Sequence, residues 1–250
     1  METPTPNPTD LALPILKDLV PGGFGYGTVI AVEFDSKSLW YEVSLTVAAN
    51  ALKAGIRTDY HTFQHIPTEV RMSIEKLGVD VQGAERNGAF SIIDSYTVQL
   101  GMGAPQVPSD RLLFQTQSVK LSDWSIQAAR EMKSGAREAE KRRLHIDDAT
   151  SVLLQYNDEK LFIDSWRTRW IPISRVRELA FLNSLVTGVY SESLYRMFES
   201  LCDGIIEIKS EEIGKSVEHL IRVRALRGTR CDSRWHRLRS LDNGEIALAD

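Results

Sequence analysis

A chain of 250 residues with 42% hydrophobic side chains can bury the core of one large α/β domain or of two small domains. Its formal net charge of −4 gives no overall attraction to nucleic acid or to an acidic membrane. The two cysteines, Cys202 and Cys231, lack the spacing of a metal site and are typical of a reducing compartment, so we expect a cytoplasmic protein.

The beginning of the chain has a composition of its own. Three prolines fall within the first ten residues, which predicts a disordered tail over 1–10. The remaining residues, 11–250, contain no internal repeat and no linker, which indicates a single domain. No basic-then-apolar leader opens the chain, and no run approaches the roughly 20 apolar residues of a spanning helix, so we expect no membrane partner.

Strands and helices alternate along most of the chain. The predicted strands are 28–33, 56–63, 90–94, 144–147 and 178–186. The predicted helices are 11–20, 41–54, 67–77, 122–141, a helical region that Pro172 ends near Trp170, and 192–201, with a loop over 101–108. This alternation predicts a mostly parallel sheet with helices on both faces, a doubly wound α/β fold.

The last part of the chain is rich in strands instead. They are predicted over 203–209, 217–226 and 234–241, with turns at Gly214, Gly228 and Asn243-Gly244. Consecutive strands with short turns pair antiparallel, so we expect an antiparallel β edge at the C-terminus of the sheet.

The connection between the strand 28–33 and the helix 41–54 has the layout of a phosphate-binding P-loop. A working loop reads G-x-x-x-x-G-K-[ST], because glycines let backbone N–H groups approach the phosphates, Lys neutralises charge and Ser/Thr holds magnesium. The eight residues at these positions are Phe34, Asp35, Ser36, Lys37, Ser38, Leu39, Trp40 and Tyr41. Both glycine positions are filled, Trp40 replaces the Lys, and Tyr41 replaces the magnesium ligand. We therefore expect a closed pocket with Trp40 as its plug.

Six segments in this order resemble the KaiC-like branch of RecA-fold ATPases, a family best represented in archaea. They are the glycine-rich turn at 21–28, the strand-loop-helix from Val32 to Gly55, and the segments 91–96, 143–148, 202–206 and 226–229. The resemblance covers roughly 13–241 and implies a RecA-like fold, with a Walker A loop that is degenerate here.

The resemblance also implies catalytic positions, several of which have changed. The family's paired glutamates, which polarise the attacking water, correspond to Gln64 and His65, and of these two only His65 could act as a base. Asp147 corresponds to the family's magnesium-positioning Walker B carboxylate, and without a phosphate nearby we interpret it as a buried acid satisfied by N–H groups. The Arg that one subunit places on its neighbour's phosphates corresponds to Arg227, while the accompanying Lys is absent.

Two further patterns in the sequence are candidates for binding sites. His61 and His65 lie four apart on a strand that runs into a loop, where they do not converge on a metal, so we expect no metal site. The C-terminal part of the chain carries a basic cluster: Arg222, Arg224, Arg227, Arg230, Arg234, Arg237 and Arg239. It is interpreted as a subunit interface, a nucleic-acid site or a solvated sheet edge.

These departures predict a catalytically inactive KaiC-like protein, a pseudo-ATPase that uses no cofactor. We expect it to act as a regulatory or scaffolding subunit, with copies of itself or related KaiC-like subunits as partners. Two alternatives stay open. One is a divergent ATPase that binds ATP and magnesium with a rebuilt loop, using Lys37, Asp147 and His65. The other is nucleic-acid binding through the arginine cluster.

Overall fold

The computed structural model of the chain describes residues 11, 13–99, 142–149 and 158–249. The predicted tail 1–10, loop 101–108 and helix 122–141 lie outside the described residues. The described helices are α1 Pro14–Lys17, α2 Trp40–Lys53, α3 Pro67–Lys76, α4 Val81–Arg86, α5 Tyr96–Gln99, α6 Glu159–Ser165, α7 Ile171–Arg177 and α8 Glu192–Leu201, with a π-helical turn at Trp166–Trp170.

The strands of the described chain join in one sheet. They are β1 Val29–Phe34, β2 Arg57–Thr62, β3 Phe90–Asp94, β4 Arg143–Asp147, β5 Ala180–Val186, β6 Gly204–Ile213, β7 Ser216–Leu226, β8 His236–Ser240 and β9 Ile246–Leu248. Their order across the sheet is β3-β2-β4-β5-β1-β6-β7-β8-β9. Pairing is parallel from β3 to β6 and antiparallel from β6 to β9. This architecture confirms the predicted fold class.

The strand β1 lies in the middle of the sheet, between β5 and β6, and all six of its residues are buried. Its parallel neighbours end on the same side, so the carboxyl ends of β1, β2, β4 and β5 meet along one edge. The connection from β1 to α2 leaves from this edge. In open α/β sheets ligands bind outside the carboxyl ends of the strands, which makes this edge the place to look for a site.

Helices cover both faces of the sheet, each over its own apolar cluster. On one face Val43, Val47 and Ile74 of α2 and α3 pack against Ile30 and Val32 of β1. On the other face the residues in contact come from α6, the π turn, α8, β1 and β5: Phe162, Trp166, Leu194, Phe198, Ala31 and Phe181. The alternation of inward side chains along β1 divides the core into these two layers.

Two predictions about helix and sheet ends were wrong. Pro172 does not end the helical region, because α7 begins at Ile171 and continues to Arg177. The π turn before it is wider than an α turn, with the Ile171 N–H bonded to the Trp166 carbonyl five residues back, and this widening accommodates a proline that would collide with an α-helical ladder. The arginines of β7 also do not lie at the sheet edge, since β8 and β9 follow outside it.

Within the described ranges, no helix combines the length and the apolar composition that a membrane span requires.

Candidate functional site

The loop after β1 folds back on Asp35. The Asp35 carboxylate accepts a hydrogen bond from the Lys37 N–H at 2.9 Å. The backbone carbonyl of Asp35 accepts one from the Ser38 N–H at 3.0 Å. The same carboxylate accepts from the Ser210 N–H at 2.5 Å, which ties the loop to β6. A short Asp often closes a turn on its own backbone in this way. Two amides of this loop, those of Lys37 and Ser38, are therefore already bonded to Asp35, one to its carboxylate and one to its backbone carbonyl.

Trp40, at the position of the P-loop Lys, is the first residue of α2 and points into the core. Only 2% of its surface is exposed, and its ring lies 6.1 Å from that of Phe34. It belongs to the apolar cluster on the α2 face of the sheet. The nearest positive charge in the loop is the exposed Lys37. An indole at this place supplies packing and no charge for a phosphate.

Tyr41, at the position of the magnesium hydroxyl, stacks on His65, at the position of a catalytic glutamate. Their ring centroids are 3.5 Å apart and their planes differ by 8°. Burial, with a smaller contribution from the Asp148 charge, raises the pKa of Tyr41 to about 12. The phenol is therefore protonated at neutral pH and is a poor ligand for a cation.

Asp148, next to Asp147, organises the end of β2. It is 2% exposed and accepts hydrogen bonds from the Phe63 N–H at 2.8 Å and the Thr62 hydroxyl at 2.9 Å. The Nδ1 of His65 lies 2.9 Å from its Oδ2. The Gln64 N–H, 3.3 Å away, completes the set. The pair of His65 and Asp148 has the geometry of an imidazole oriented by a carboxylate.

Asp147 is buried and bonded to the neighbouring strand. Its Oδ1 accepts from the Ser184 N–H at 3.0 Å and from the Ser184 hydroxyl. Burial raises the pKa of the Asp147 carboxyl well above its ordinary value. Because this shift disfavours the charged form, it opposes the role of a magnesium ligand.

His61 and His65 do not converge. The Nε2 of His61 lies 2.7 Å from the Ser95 hydroxyl, whereas His65 pairs with Asp148. Burial, followed by the nearby His145, lowers the pKa of His61 to about 3, so its imidazole is neutral. No group of three or more His, Cys, Asp or Glu residues that could hold a metal ion occurs in the described part of the chain.

The arginine cluster is partly neutralised by carboxylates from other elements. Arg222 and Arg224 both contact Glu207 on β6, and Arg224 also lies 2.6 Å from Glu199 on α8. Two more pairs join Arg234 to Asp232 at 2.6 Å and Arg237 to Glu218 at 3.6 Å. Among the described residues, the members that form no ion pair are Arg227, Arg230 and Arg239.

Arg227 lies at the end of the sheet opposite the loop. Its N–H donates to the Asp203 carbonyl at 2.7 Å, and the Asp203 carboxylate accepts from the N–H of Val29, where β1 begins. The loop leaves β1 from the other end, after Phe34. The guanidinium is exposed and donates to the Ser200 carbonyl at 2.8 Å. It therefore cannot meet its own loop.

The group that the resemblance implies, ATP with magnesium, does not fit these residues. Phosphate binding needs free convergent N–H groups and a positive charge, and magnesium needs an ionised carboxylate and a hydroxyl. Here the loop amides are bound to Asp35, Trp40 lies in the core and Asp147 is shielded by Ser184.

Two contributors to this geometry were not singled out from the sequence. Asp35 was identified only as one of eight loop residues, although an Asp two residues before Lys37 is a signal for an Asx turn. Asp148 gave no local signal, since its partners come from the end of β2 and the residues that follow it, about 85 residues earlier in the chain.

Comparisons with known proteins agree on the family. The sequence model of a family described as "ATPase: KaiC" matches residues 19–247. A UPF0273 protein from Aeropyrum pernix is 24% identical over 248 residues, which covers 93% of this chain and 85% of the relative. A UPF0273 protein from Thermotoga maritima is 23% identical over 242 residues, with 91% and 85% covered.

A solved structure shows the same fold. It is that of a KaiC-like protein from the hyperthermophilic archaeon Pyrococcus horikoshii OT3, which aligns with a TM-score of 0.69 at 15% identity and covers 96% of this chain and 97% of its own. The family match spans nearly the whole described sheet, from the residues before β1 to β9. On these grounds the chain belongs to the KaiC family of ATPases.

Proposed function

We propose that this chain is a KaiC-family protein that has lost ATP hydrolysis and works as a regulatory or scaffolding subunit. The observation that carries this proposal is the closed loop, in which Asp35 holds the amide of Lys37 while Trp40 fills the core at the position of the P-loop Lys. The Asp35 carboxylate repels a triphosphate, and it also occupies a loop N–H group that would otherwise bind a phosphate oxygen. The stack of Tyr41 on His65 fills the adjoining space, where the magnesium hydroxyl and the catalytic glutamates belong.

The first experiment is a titration with Mg-ATP, measured by equilibrium dialysis with labelled nucleotide and by tryptophan fluorescence. We expect no saturable binding at millimolar ATP and no release of phosphate. The variant Asp35→Asn is the matched control, because it removes the charge and keeps the shape of the side chain. Saturable, magnesium-dependent binding by the unaltered protein would contradict the proposal.

The partners of such a subunit are proposed to be copies of this chain or related KaiC-like subunits. Arg227 supports this role, because it is exposed at the end of the sheet opposite its own loop and can serve only a neighbour. Arg227→Ala is expected to lower the ATPase rate of an active relative with which the chain assembles. The control is Arg239→Ala, an exposed arginine of β8. An unchanged rate in co-assembled Arg227→Ala complexes argues against the trans role.

One specific observation favours a second candidate, a divergent ATPase. The imidazole of His65 is oriented by Asp148 at 2.9 Å, as a general base would be, and Lys37 is an exposed cation on the same edge. This candidate predicts metal-dependent phosphate release that Asp147→Asn and His65→Gln each abolish. The closed loop makes it the less well supported of the two.

Nucleic-acid binding through the arginines is supported least. Four of the seven arginines form ion pairs with carboxylates, and the net charge of the chain is −4. If it occurred, the affinity would fall steeply with salt, in proportion to the phosphates contacted. A salt-dependent titration with single-stranded and duplex oligonucleotides tests this directly.

A further inference from the structure

A cavity of about 60 Å³ lies between the sheet and the π turn, on the face opposite α2. Its walls are aromatic, and they include Trp166 and Trp170 of the π turn and Phe181 of β5. The ring centroids of Trp166 and Trp170 lie 5.5 and 6.1 Å from that of Phe181, in edge-to-face arrangements. Walls of this kind accept a flat molecule.

Four polar side chains line this cavity, His61, His145, Asp147 and Asn183, and the last two lie side by side. Asp147 and Asn183 belong to the adjacent parallel strands β4 and β5, whose register pairs the residues just before them, Ile146 and Leu182. The Nδ2 of Asn183 is buried and has no hydrogen-bond partner among the described residues. Asp147 uses its Oδ1 for Ser184, and its Oδ2 forms no hydrogen bond within the described part of the chain. The cavity thus offers one donor and, in the ionised form of Asp147 that its two bonds from Ser184 favour, one acceptor close together.

A buried amide without a partner is rare and costly, because its hydrogen bonds to water are lost on folding. A ligand that satisfies both groups needs an acceptor for the N–H of Asn183 Nδ2 and a donor for Asp147 Oδ2. An amide edge, in which a carbonyl stands beside an N–H, supplies both from adjacent atoms of one ligand. The volume is enough for roughly four to six small heavy atoms, on the scale of 10–15 Å³ for one water. The amide edge of a single flat ring fits inside, and the rest of the ring lies in the open mouth of the cavity.

We propose that this cavity is a binding site for a small, neutral, planar molecule with an amide edge, such as a lactam or a pyrimidine-type ring. The ring would lie against the indoles of Trp166 and Trp170, with its carbonyl accepting from Asn183 Nδ2 and its N–H donating to Asp147 Oδ2. The site is separate from the loop at 34–41, because Trp40 belongs to the apolar cluster on the opposite face of the sheet. It therefore does not depend on whether ATP binds.

The test uses 2-pyridone as the probe, with isothermal titration calorimetry and ligand-observed NMR. Its matched controls are N-methyl-2-pyridone, which lacks the N–H, and benzene, which lacks the whole amide edge. We expect saturable binding of 2-pyridone with a Kd of about 1 mM or tighter, as the size of the ligand allows. Binding of the two controls is expected to be at least about tenfold weaker, because each leaves a buried polar group of the protein unpaired.

The protein variant that completes the test is Asn183→Ala, which removes the amide without filling the cavity. It is expected to weaken 2-pyridone binding at least about tenfold, while Asn50→Ala, at a buried Asn of α2 on the other face, leaves it unchanged. Should Asn183→Ala fail to fold, the comparison of the three ligands on the unaltered protein still tests the proposal. Equal affinity for 2-pyridone and benzene, no binding at millimolar concentration, or full binding by a folded Asn183→Ala would each overturn the proposal.

Discussion

The imidazole of His65 lies parallel to the phenol of Tyr41, with 3.5 Å between the ring centroids. The two residues come from different elements, Tyr41 from α2 and His65 from the segment after β2. Each stands at a position that the resemblance assigns to ATP chemistry. Their contact is a packing interaction between two stacked rings.

This contact predicts an energetic coupling between the two side chains. In a double-mutant cycle of Tyr41→Ala and His65→Ala, the coupling in the free energy of unfolding is expected to be about 0.5–1.5 kcal/mol, as for other stacked rings. Urea denaturation of the four proteins measures it. A coupling near zero would mean that the two rings contribute to stability independently.

Trp40 is predicted to be a major contributor to stability. Truncation by Trp40→Ala leaves a large void beside Phe34 and is expected to cost about 3–5 kcal/mol in the free energy of unfolding. Trp235→Ala is the control, since Trp235 is half-buried and lies between Lys209 and Arg222, with cation–π distances of 4.2 and 4.4 Å. Its loss is expected to cost about 1 kcal/mol. Equal costs in urea denaturation would contradict a core role for Trp40.

Asp59 and Arg143 form a buried ion pair that is predicted to be costly to break. The two are 2% and 4% exposed, and the Arg143 Nε donates to an Asp59 oxygen at 2.7 Å. Asp59→Ala leaves a buried guanidinium without its carboxylate, so we expect a loss of about 3–5 kcal/mol in stability. Arg196→Ala breaks the exposed pair with Glu192 and is expected to cost under about 1 kcal/mol. Thermal or urea unfolding of both variants checks the contrast.

Glu33 predicts a pH dependence of stability. Its carboxyl lies on β1 among Glu199 of α8, Glu207 of β6 and Arg224 of β7, and burial, with the neighbouring Glu199, raises its pKa from an ordinary 4.5 to about 8. Between about pH 4.5 and pH 8, the Glu33 carboxyl is therefore protonated in the folded state and ionised in the unfolded state. The contribution to stability is intact below about pH 4.5 and is lost as the pH rises towards 8.

The variant Glu33→Gln is expected to flatten this slope, which for one proton is at most about 1.4 kcal/mol per pH unit and is reduced by solvent screening. Urea denaturation at several values between pH 5 and 8 measures it. Glu192→Gln, at an exposed position of α8, serves as the control. The idea is wrong if Glu33→Gln and the unaltered protein lose stability with pH in parallel.

Local sequence signals were sufficient for much of the fold. The strand β3 and the helix α8 have the predicted bounds, 90–94 and 192–201, because an apolar run and a Ser191 cap mark them. The three-residue strand β9 was not predicted, since so short a run shows no periodicity, and its pairing with β8 depends on the antiparallel register. The helix α4 was not predicted either, and its Asp80 cap, which accepts from the Gly83 N–H, would have been the signal.

The site was harder to predict than the fold. The substitutions at Trp40 and Tyr41 are visible in the sequence, but their contacts are not, because each partner comes from another element. The same holds for Arg222 and Arg224, whose common partner Glu207 is brought opposite them by the pairing of β6 and β7. The register between the strands decides which of these arginines form ion pairs, and no local sequence pattern shows it.

The π turn at Trp166–Trp170 sets the rotational phase of the helix that follows it. One residue advances an α-helix by about 100°, so deleting one residue from the turn would rotate α7 by that angle relative to α6. Arg175 would then swing away from the Asp203 carboxylate, 2.7 Å distant, and from the Gly27 carbonyl that precedes β1. The extra residue of the π turn thus lets Trp166 and Trp170 line the cavity while Arg175, further along the helix, bonds to the residues beside the start of β1.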